Sequence, residues 1–206
     1  MYSPAYNRVE DRAELIEFMR ANNFPILVTG TGGNLMASHL PVLVSEKGNQ
    51  IVLDMHMAKN NLQWKEFFDD EALVVFHGPH AYVSPRWYEE KERVPTWNYA
   101  AVHAYGVPKI VGDKQAKRAS QRRLVEFMDP QWLPSFDGLS DKYVEMMLEG
   151  IVNFEIPVTR LETRWKLSQN RSRREMELIA GQLGKSGDSL ERALAEITRR
   201  HLPAKD

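Results

Sequence analysis

The sequence predicts an α+β fold, mainly β, in which antiparallel hairpins form a barrel with flanking helices. Three observations carry that expectation. Short β-branched runs are separated by Gly30-Thr31-Gly32-Gly33-Asn34 and Ser45-Glu46-Lys47-Gly48-Asn49, and tight hairpin turns use residues that tolerate positive φ. Hairpins come first and helices later, with a late strand among them, an order that argues against a doubly wound parallel sheet. Residues Ala72 to Gly106 concentrate branched and aromatic side chains with prolines and histidines, and such side chains fit a pleated, half-buried surface.

In chain order, Met1–Arg8 reads as an extended arm. Val9, Leu15, Ile16, Phe18 and Met19 weight one side of the next stretch, which predicts an amphipathic helix over 9–22 with Glu10, Asp11 and Glu14 in its early turns. Phe24–Thr29 reads as a strand, Leu35–Val44 as a second and Gln50–His56 as a third. Lys59–Phe68 carries Leu62, Trp64, Phe67 and Phe68 and reads as a short helix. Leu73–Phe76 and Asn98–Tyr105 are strands around a segment that Pro79, Pro85 and Pro95 should keep out of regular pairing. Lys109–Gly112 closes the β region, Asp113–Met128 is a helix ended by Asp129-Pro130, and Trp132–Phe136 is a loop. Ser140–Glu149 is a helix stopped at Gly150, and Ile151–Arg164 is a strand. From Arg171 the chain is helical, with Gly181, Gly184 and Gly187 in a loop before a last helix over Leu190–His201.

A chain of 206 residues suits one sizeable domain with a helical appendage. Its hydrophobic content of 43% and charged content of 27% are those of an ordinary soluble globular protein. The net charge of −1 creates no global field toward nucleic acid or a membrane, so DNA contact would rest on a local basic patch. With no cysteine there are no disulfides, thiolate metal sites or cysteine nucleophiles. No apolar run reaches bilayer-spanning length, and the N-terminus lacks a signal pattern. The cytoplasm is therefore the expected location, with no membrane partner.

Candidate chemistry gathers in four places. Ser38-His39-Leu40-Pro41 follows the glycine turn; Pro41 limits pairing there, so the strand edge is available to a ligand's polar rim, or else Ser38 and His39 simply face solvent. His56, Ala58, Lys59, Asn60 and Gln63 lie at a strand-to-helix junction, where free N–H groups, a dipole end and a lysine suit a phosphate; a plain capped helix is the blander alternative. Trp97, Asn98 and Tyr99, with Trp87, Tyr88, Tyr105, His77, His80 and His103 nearby, suit a wall for a planar ligand as well as they suit a core. Lys166, Gln169, Asn170 and Arg171 concentrate donors after Trp165, and Arg and Lys hold phosphate as a fork and as a point charge. HExxH, GxxxxGK[ST], GxSxG and the dinucleotide-binding glycine fingerprint are all absent. No metal site is expected.

Gly-Pro-His-Ala-Tyr-Val-Ser-Pro-Arg-Trp-Tyr, Val-Pro-Thr-Trp-Asn-Tyr-Ala-Ala-Val-His, Ser-His-Leu-Pro, His-Met-Ala-Lys-Asn-Asn-Leu-Gln-Trp and Lys-Leu-Ser-Gln-Asn-Arg together resemble the PaiB-type FMN-binding negative transcriptional regulators of bacteria. The resemblance runs from Met1 to about Ile179. It implies a split β-barrel of the pyridoxamine-phosphate-oxidase type over 1–180 with a helical tail over 181–206, working as a homodimer with FMN in clefts between subunits. Ser38, His39 and Leu40 would then run along the isoalloxazine, and Lys59 and Asn60, with His56 close by, would hold the phosphate. Trp97 to Tyr99 and Lys166 to Arg171 would reach or close the site from the second subunit. Where the oxidases have an arginine-lysine pair, Lys59-Asn60 supplies one formal charge.

Two functions compete on this reading. One is a regulator, for which Lys114, Lys117, Arg118, Arg122 and Arg123, and Arg171, Arg173 and Arg174, are the basic clusters able to meet DNA phosphates. Such a run is more often a solvated face, and regulation can be indirect. The alternative is a flavin-dependent oxidoreductase on a small substrate, with His80, Tyr82 and His103 as proton donors. Haem on a histidine is the alternative cofactor to FMN.

Overall fold

The computed structural model describes residues 1–31, 33–67, 70–90 and 92–204. Two compact units emerge: a first made of Met1–Leu15, His77–Val102 and Glu162–Asp206, and a second made of Ile16–Phe76 and His103–Leu161. Strands β1 (Ile26–Thr31), β2 (Asn34–His39), β3 (Val42–Lys47), β4 (Gln50–Ala58), β5 (Ala72–Val83), β6 (Thr96–Gly106), β7 (Lys109–Val111), β8 (Ile151–Pro157) and β9 (Arg160–Lys166) form two sheets among the described residues. One has the order β2-β1-β5-β6-β9 and the other β3-β4-β8-β7. The pairs β1–β2, β1–β5, β3–β4, β4–β8 and β7–β8 are all antiparallel, as the hairpin pattern predicts.

In the second unit, β1 and β2 are one hairpin with Thr31 opposite Asn34. Gly33 takes φ 90° in its turn and Gly48 φ 60° in the β3–β4 turn, the conformation for which glycine carries no Cβ penalty. The expected turn residue Gly32 and the expected helix end Phe68 lie outside the described residues. The run Leu35–Val44 is not one strand: it breaks at Leu40-Pro41, leaving β2 in one sheet and β3 in the other. Pro41 has no N–H to continue a ladder, and Leu40 N–H instead donates to Pro25 O at 3.2 Å. Ile151–Arg164 divides likewise into β8 and β9, parted at Val158-Thr159. Val42, Leu53, Met55, Val74, Phe76, Phe154 and Ile156 are fully or almost fully buried and form the core of this unit.

Helix α1 spans Arg12–Ala21, shorter than expected because Asp11 takes the Ala13 and Glu14 N–H groups and starts it there. Helix α2 (Lys114–Met128) is capped by Asp113 through the Ala116 N–H. Residues 132–136, expected as a loop, include most of a short helix α3 (Leu133–Asp137), whose Pro134 sits in the first turn where a missing donor costs nothing. Helix α4 (Asp141–Glu149) is capped by Ser140 and ends at Gly150. One buried polar tie joins β4 to α2: Asp54 accepts Ser120 Oγ and an Arg123 N–H, each at 2.7 Å, and Asn153 Nδ2 on β8 donates to Ser120 Oγ at 3.1 Å.

In the first unit, β5 continues through Gly78-Pro79 to Val83, against expectation. β1 registers with β5 only over Leu73–Val75, so at Pro79 that neighbour is gone and a missing donor is tolerated. Helices α5 (Arg173–Leu183) and α6 (Ser189–Arg200) pack against each other, burying Met176, Ile179, Leu183 and Leu194. Gly181 belongs to α5 rather than to the loop, because Ser172 caps a helix long enough to reach Leu183. Residue 180 thus falls inside a helix.

Asp54→Ala should lower the unfolding free energy by about 2–3 kcal/mol, since Ser120 and Arg123 both lose their acceptor. Arg123→Ala, which removes a half-exposed side chain, should cost less. Urea unfolding followed by circular dichroism measures both.

Candidate functional site

The second unit brings one group of candidates together. Ser38 and His39 lie on β2, the outer strand of its sheet, opposite Leu27 and Ile26. His39 is exposed and stacks on Phe24 with ring centroids 6.0 Å apart, while Leu40 is buried. His56 sits on β4 beside Asp54. Burial pushes its pKa down, and the Asp54 carboxylate opposes that shift. Ala58, Lys59 and Asn60 are exposed at the end of β4.

The expected helix after Lys59 is a five-residue 3-10 turn, Leu62–Glu66, so the dipole of a full helix is not available to a phosphate there. Asn61 caps that turn by accepting the Gln63 N–H at 3.1 Å, and its Nδ2 donates to Ser38 Oγ at 2.9 Å. The junction and β2 are therefore directly joined. Gln63 is completely buried and its Nε2 donates to Leu27 O, Thr29 Oγ1 and Met36 O, each at 3.2 Å; its amide nitrogen serves the fold. Lys59 N–H donates to Gly150 O at 2.8 Å, whereas its ammonium has no ion pair or hydrogen bond among the described residues.

Lys59 also borders a cleft of about 550 Å³ that the sequence did not announce, with Lys117, Val144, Leu148 and Asn153 on its walls. Lys117 Nζ donates to Leu148 O at 2.5 Å and Ile151 O at 3.0 Å. Burial lowers its pKa, the neighbouring Lys59 lowers it further, and Glu149 partly offsets both. Asn153 is fully buried and its Oδ1 has no partner. A polar atom left so is costly unless something reaches it. The signal that could have pointed here is the lysine at 117 on α2, which shares this cleft with Lys59; periodicity alone could not place it.

The first unit brings the other candidates together. Trp97 is half-exposed, stacks on His80 at 5.7 Å and donates Nε1–H to His80 Nδ1 at 3.3 Å, with Tyr82 edge-on at 6.3 Å. His77 lies 4.9 Å from His80, and burial followed by that neighbour lowers its pKa. Asn98 points to the other face, fully buried, and exchanges hydrogen bonds with Ser168 Oγ at 2.9 and 3.2 Å. Tyr99 faces the Arg164 guanidinium at 5.5 Å.

Lys166 donates to Thr96 Oγ1 and, at 2.8 Å, to Trp97 O. Gln169 is a clamp: Oε1 accepts from Asn7 Nδ2 at 2.7 Å and from Leu167 N–H at 2.8 Å, and Nε2 donates to Trp165 O. Asn170 is exposed, and Arg171 lies over the Tyr88 ring at 5.1 Å. Asn98 and Gln169 therefore hold their own unit together, while Trp97, Tyr99, Lys166, Asn170 and Arg171 keep exposed or unengaged surface.

The basic clusters are largely neutralised. On α2, Arg118 pairs with Asp141 at 2.5 Å, Arg122 with Asp137 at 2.8 Å, Arg123 with Asp54 and Lys114 with Glu145 at 3.6 Å. The Arg122–Asp137 hydrogen bond raises the arginine's pKa and lowers that of the aspartate. Arg173 pairs with Glu177 and Arg174 with Glu89. Among the described residues no cluster of His, Cys, Asp and Glu could hold a metal ion, and no helix is long and apolar enough to cross a membrane.

Comparison with known proteins places this geometry. The family model described as "Putative FMN-binding domain" matches residues 1–160. "Protease synthase and sporulation protein PAI 2" of Bacillus subtilis is 35% identical over 199 residues, 96% of either chain. Among solved structures, an FAD and heme binding protein from Mycobacterium smegmatis superposes with a TM-score of 0.61 at 12% identity, covering 77% of this chain and 72% of that one. The flavocytochrome Anf3 from Azotobacter vinelandii gives 0.58 at 13%, with coverage of 79% and 74%. At these identities the structures speak for the fold alone, an α+β split barrel. With most of its length matched by the family model and over a third of its residues shared with the Bacillus protein, the chain belongs to the PaiB-type FMN-binding-domain family.

Proposed function

We propose that the chain binds FMN as a homodimer, with the phosphate at Lys59 and Asn60 and the ring along Ser38, His39 and Leu40, and that it acts as a negative transcriptional regulator. The observation that carries the flavin reading is the join between the two places: Asn61 Nδ2 donates to Ser38 Oγ two residues on from Lys59, whose ammonium has no partner among the described residues. The unpartnered Asn153 Oδ1 in the cleft that Lys59 borders also fits a ligand that brings donors. His56, largely uncharged because burial lowers its pKa, offers a further hydrogen bond. In the partner subunit's copy, Trp97 and Tyr99 supply ring surface against the isoalloxazine.

The name of the Bacillus relative, a protease synthase and sporulation protein, supports regulation. The ion pairs on α2 argue that DNA is not met through that helix, because its arginines already have carboxylate partners. We therefore place regulation at an indirect step or at another surface.

A flavin-dependent oxidoreductase is the second reading, favoured by the His77–His80–Trp97 contact group. Bound FMN supplies the redox chemistry, and the histidines would hold protons beside it. Haem stays the alternative cofactor.

Lys59→Ala should weaken FMN binding at least about tenfold, the scale of a lost charge-assisted contact to phosphate, in a fluorescence titration; equal affinity in both proteins would remove the reading. Size-exclusion chromatography with light scattering should give twice the chain mass. Mixing the FMN complex with a nicotinamide donor without air should leave the flavin oxidised if the regulator is correct, and bleach it quickly if the enzyme is.

A further inference from the structure

The first unit holds a pocket of about 170 Å³ lined in part by Tyr6, Tyr88, Arg164, Lys166, Asn170 and Arg171. Its described lining contains three cations and no carboxylate. That composition is unlike α2, whose arginines face acids. None of the three has an ion pair among the described residues.

Several donors here have nothing to bind. The Tyr88 side chain is more than nine-tenths buried and its hydroxyl has no partner, and the Arg164 Nε is buried and unpartnered as well. An ammonium has three N–H donors; Lys166 uses two, on Thr96 Oγ1 and Trp97 O, which leaves one. The Arg171 guanidinium lies across the Tyr88 ring at 5.1 Å. A buried hydroxyl without a partner and adjacent like charges both cost free energy. The depressed pKa of Lys166, due first to burial and then to Arg164, has the same origin.

The backbone is also shaped toward this arrangement. Ser168 takes φ 66°, a conformation that L side chains rarely adopt. The reciprocal hydrogen bonds with buried Asn98 hold it there, and Arg171 N–H closes the turn on Ser168 O at 2.9 Å. Strain of this kind persists where the surroundings over-determine it, commonly at ligand sites. Its result here is to set Arg171 beside Tyr88.

We propose that this pocket binds an oxyanion, the phosphate or carboxylate group of a small molecule, through Arg171, Lys166 and the Tyr88 hydroxyl. Its volume is below the roughly 300–1,000 Å³ of sites for drug-sized ligands, which suits an anionic headgroup and not a flavin ring. A guanidinium fork matches both oxyanions. The site uses none of Ser38, Lys59 or Asn60, and it gives Lys166 and Arg171, which the family resemblance brings to the flavin of the second subunit, an anion of their own.

The test titrates the full chain with inorganic phosphate, and separately with acetate, at constant ionic strength. Amide shifts in NMR and the melting temperature are followed for the wild type, Arg171→Gln, Tyr88→Phe and Lys59→Ala. Saturable binding of either probe, with shifts at Leu167 to Arg171, is expected; the tighter probe identifies the headgroup. Arg171→Gln should weaken it at least about tenfold. Tyr88→Phe should weaken it about threefold yet melt no lower than wild type without the probe, because it removes a buried hydroxyl that nothing satisfies; a purely structural tyrosine would not separate the two readouts. Lys59→Ala should bind phosphate as the wild type does and lose FMN, which separates the two ligands. The proposal is overturned if neither probe saturates, if both pocket variants bind like the wild type, or if Lys59→Ala loses phosphate together with FMN.

Discussion

The buried amide of Gln63 is the constraint on which the candidate flavin corner depends. Its nitrogen faces three acceptors, Leu27 O and Thr29 Oγ1 on β1 and Met36 O on β2, so its two hydrogens are fully used. Asn61, two residues earlier, adds the Ser38 contact and the cap on Gln63 N–H. On the other side Lys59 N–H is fixed to Gly150 O, just past α4. The segment between is therefore held from both ends, and Lys59 is exposed because its backbone has no freedom to turn inward. A lysine costs side-chain entropy to immobilise; fixing its backbone first lowers what a ligand must add.

A second tie, Asp54 with Ser120 and Arg123, does for α2 what Gln63 does for the hairpin. Its electrostatic consequence reaches further than its stability. With Arg123 facing Asp54, Arg118 facing Asp141 and Arg122 facing Asp137, a helix that reads as basic in the sequence presents little unbalanced charge. Lys117 completes the pattern by capping the carbonyls at the end of α4 and the start of β8. Nucleic-acid affinity scales with phosphates neutralised by available cations, so the count of lysines and arginines on a helix overstates what it can offer.

The architecture was legible because hairpin turns and helix caps are local. Gly33 and Gly48 mark turns by their backbone demands, and Asp113, Ser140 and Ser172 mark helix starts by accepting from the N–H three residues on. What was not legible depends on partners remote in sequence. Leu35–Val44 and Ile151–Arg164 look continuous, since nothing local says that consecutive residues enter different sheets. Pro79 reads as a breaker unless one knows that β1 has already ended beside it. Among site residues, the motif at Ser38 and Lys59 could be found from short peptides, but the difference between Asn170, which is exposed, and Gln169, which is fastened to Asn7 and Trp165, depends in part on an N-terminal arm more than a hundred residues away.

Among the described residues, the arginines of α2 and the first two of α5 are matched to carboxylates, and the free energy of the exposed pairs changes little with what the solvent contains, since such pairs are worth little and are screened by salt. Lys59 in one unit and Arg164, Lys166 and Arg171 in the other have no carboxylate partner among the described residues, and each lines a pocket whose walls also carry a residue with an unpartnered buried polar atom, Asn153 Oδ1 in the first case and the Tyr88 hydroxyl in the second. Surplus charge alone can be a solvated face, and an orphan atom alone can be a packing defect. Their coincidence at two separate places is harder to attribute to folding, because removing either feature would relieve the fold of a cost. A ligand that brings the missing partner supplies the reason to keep both.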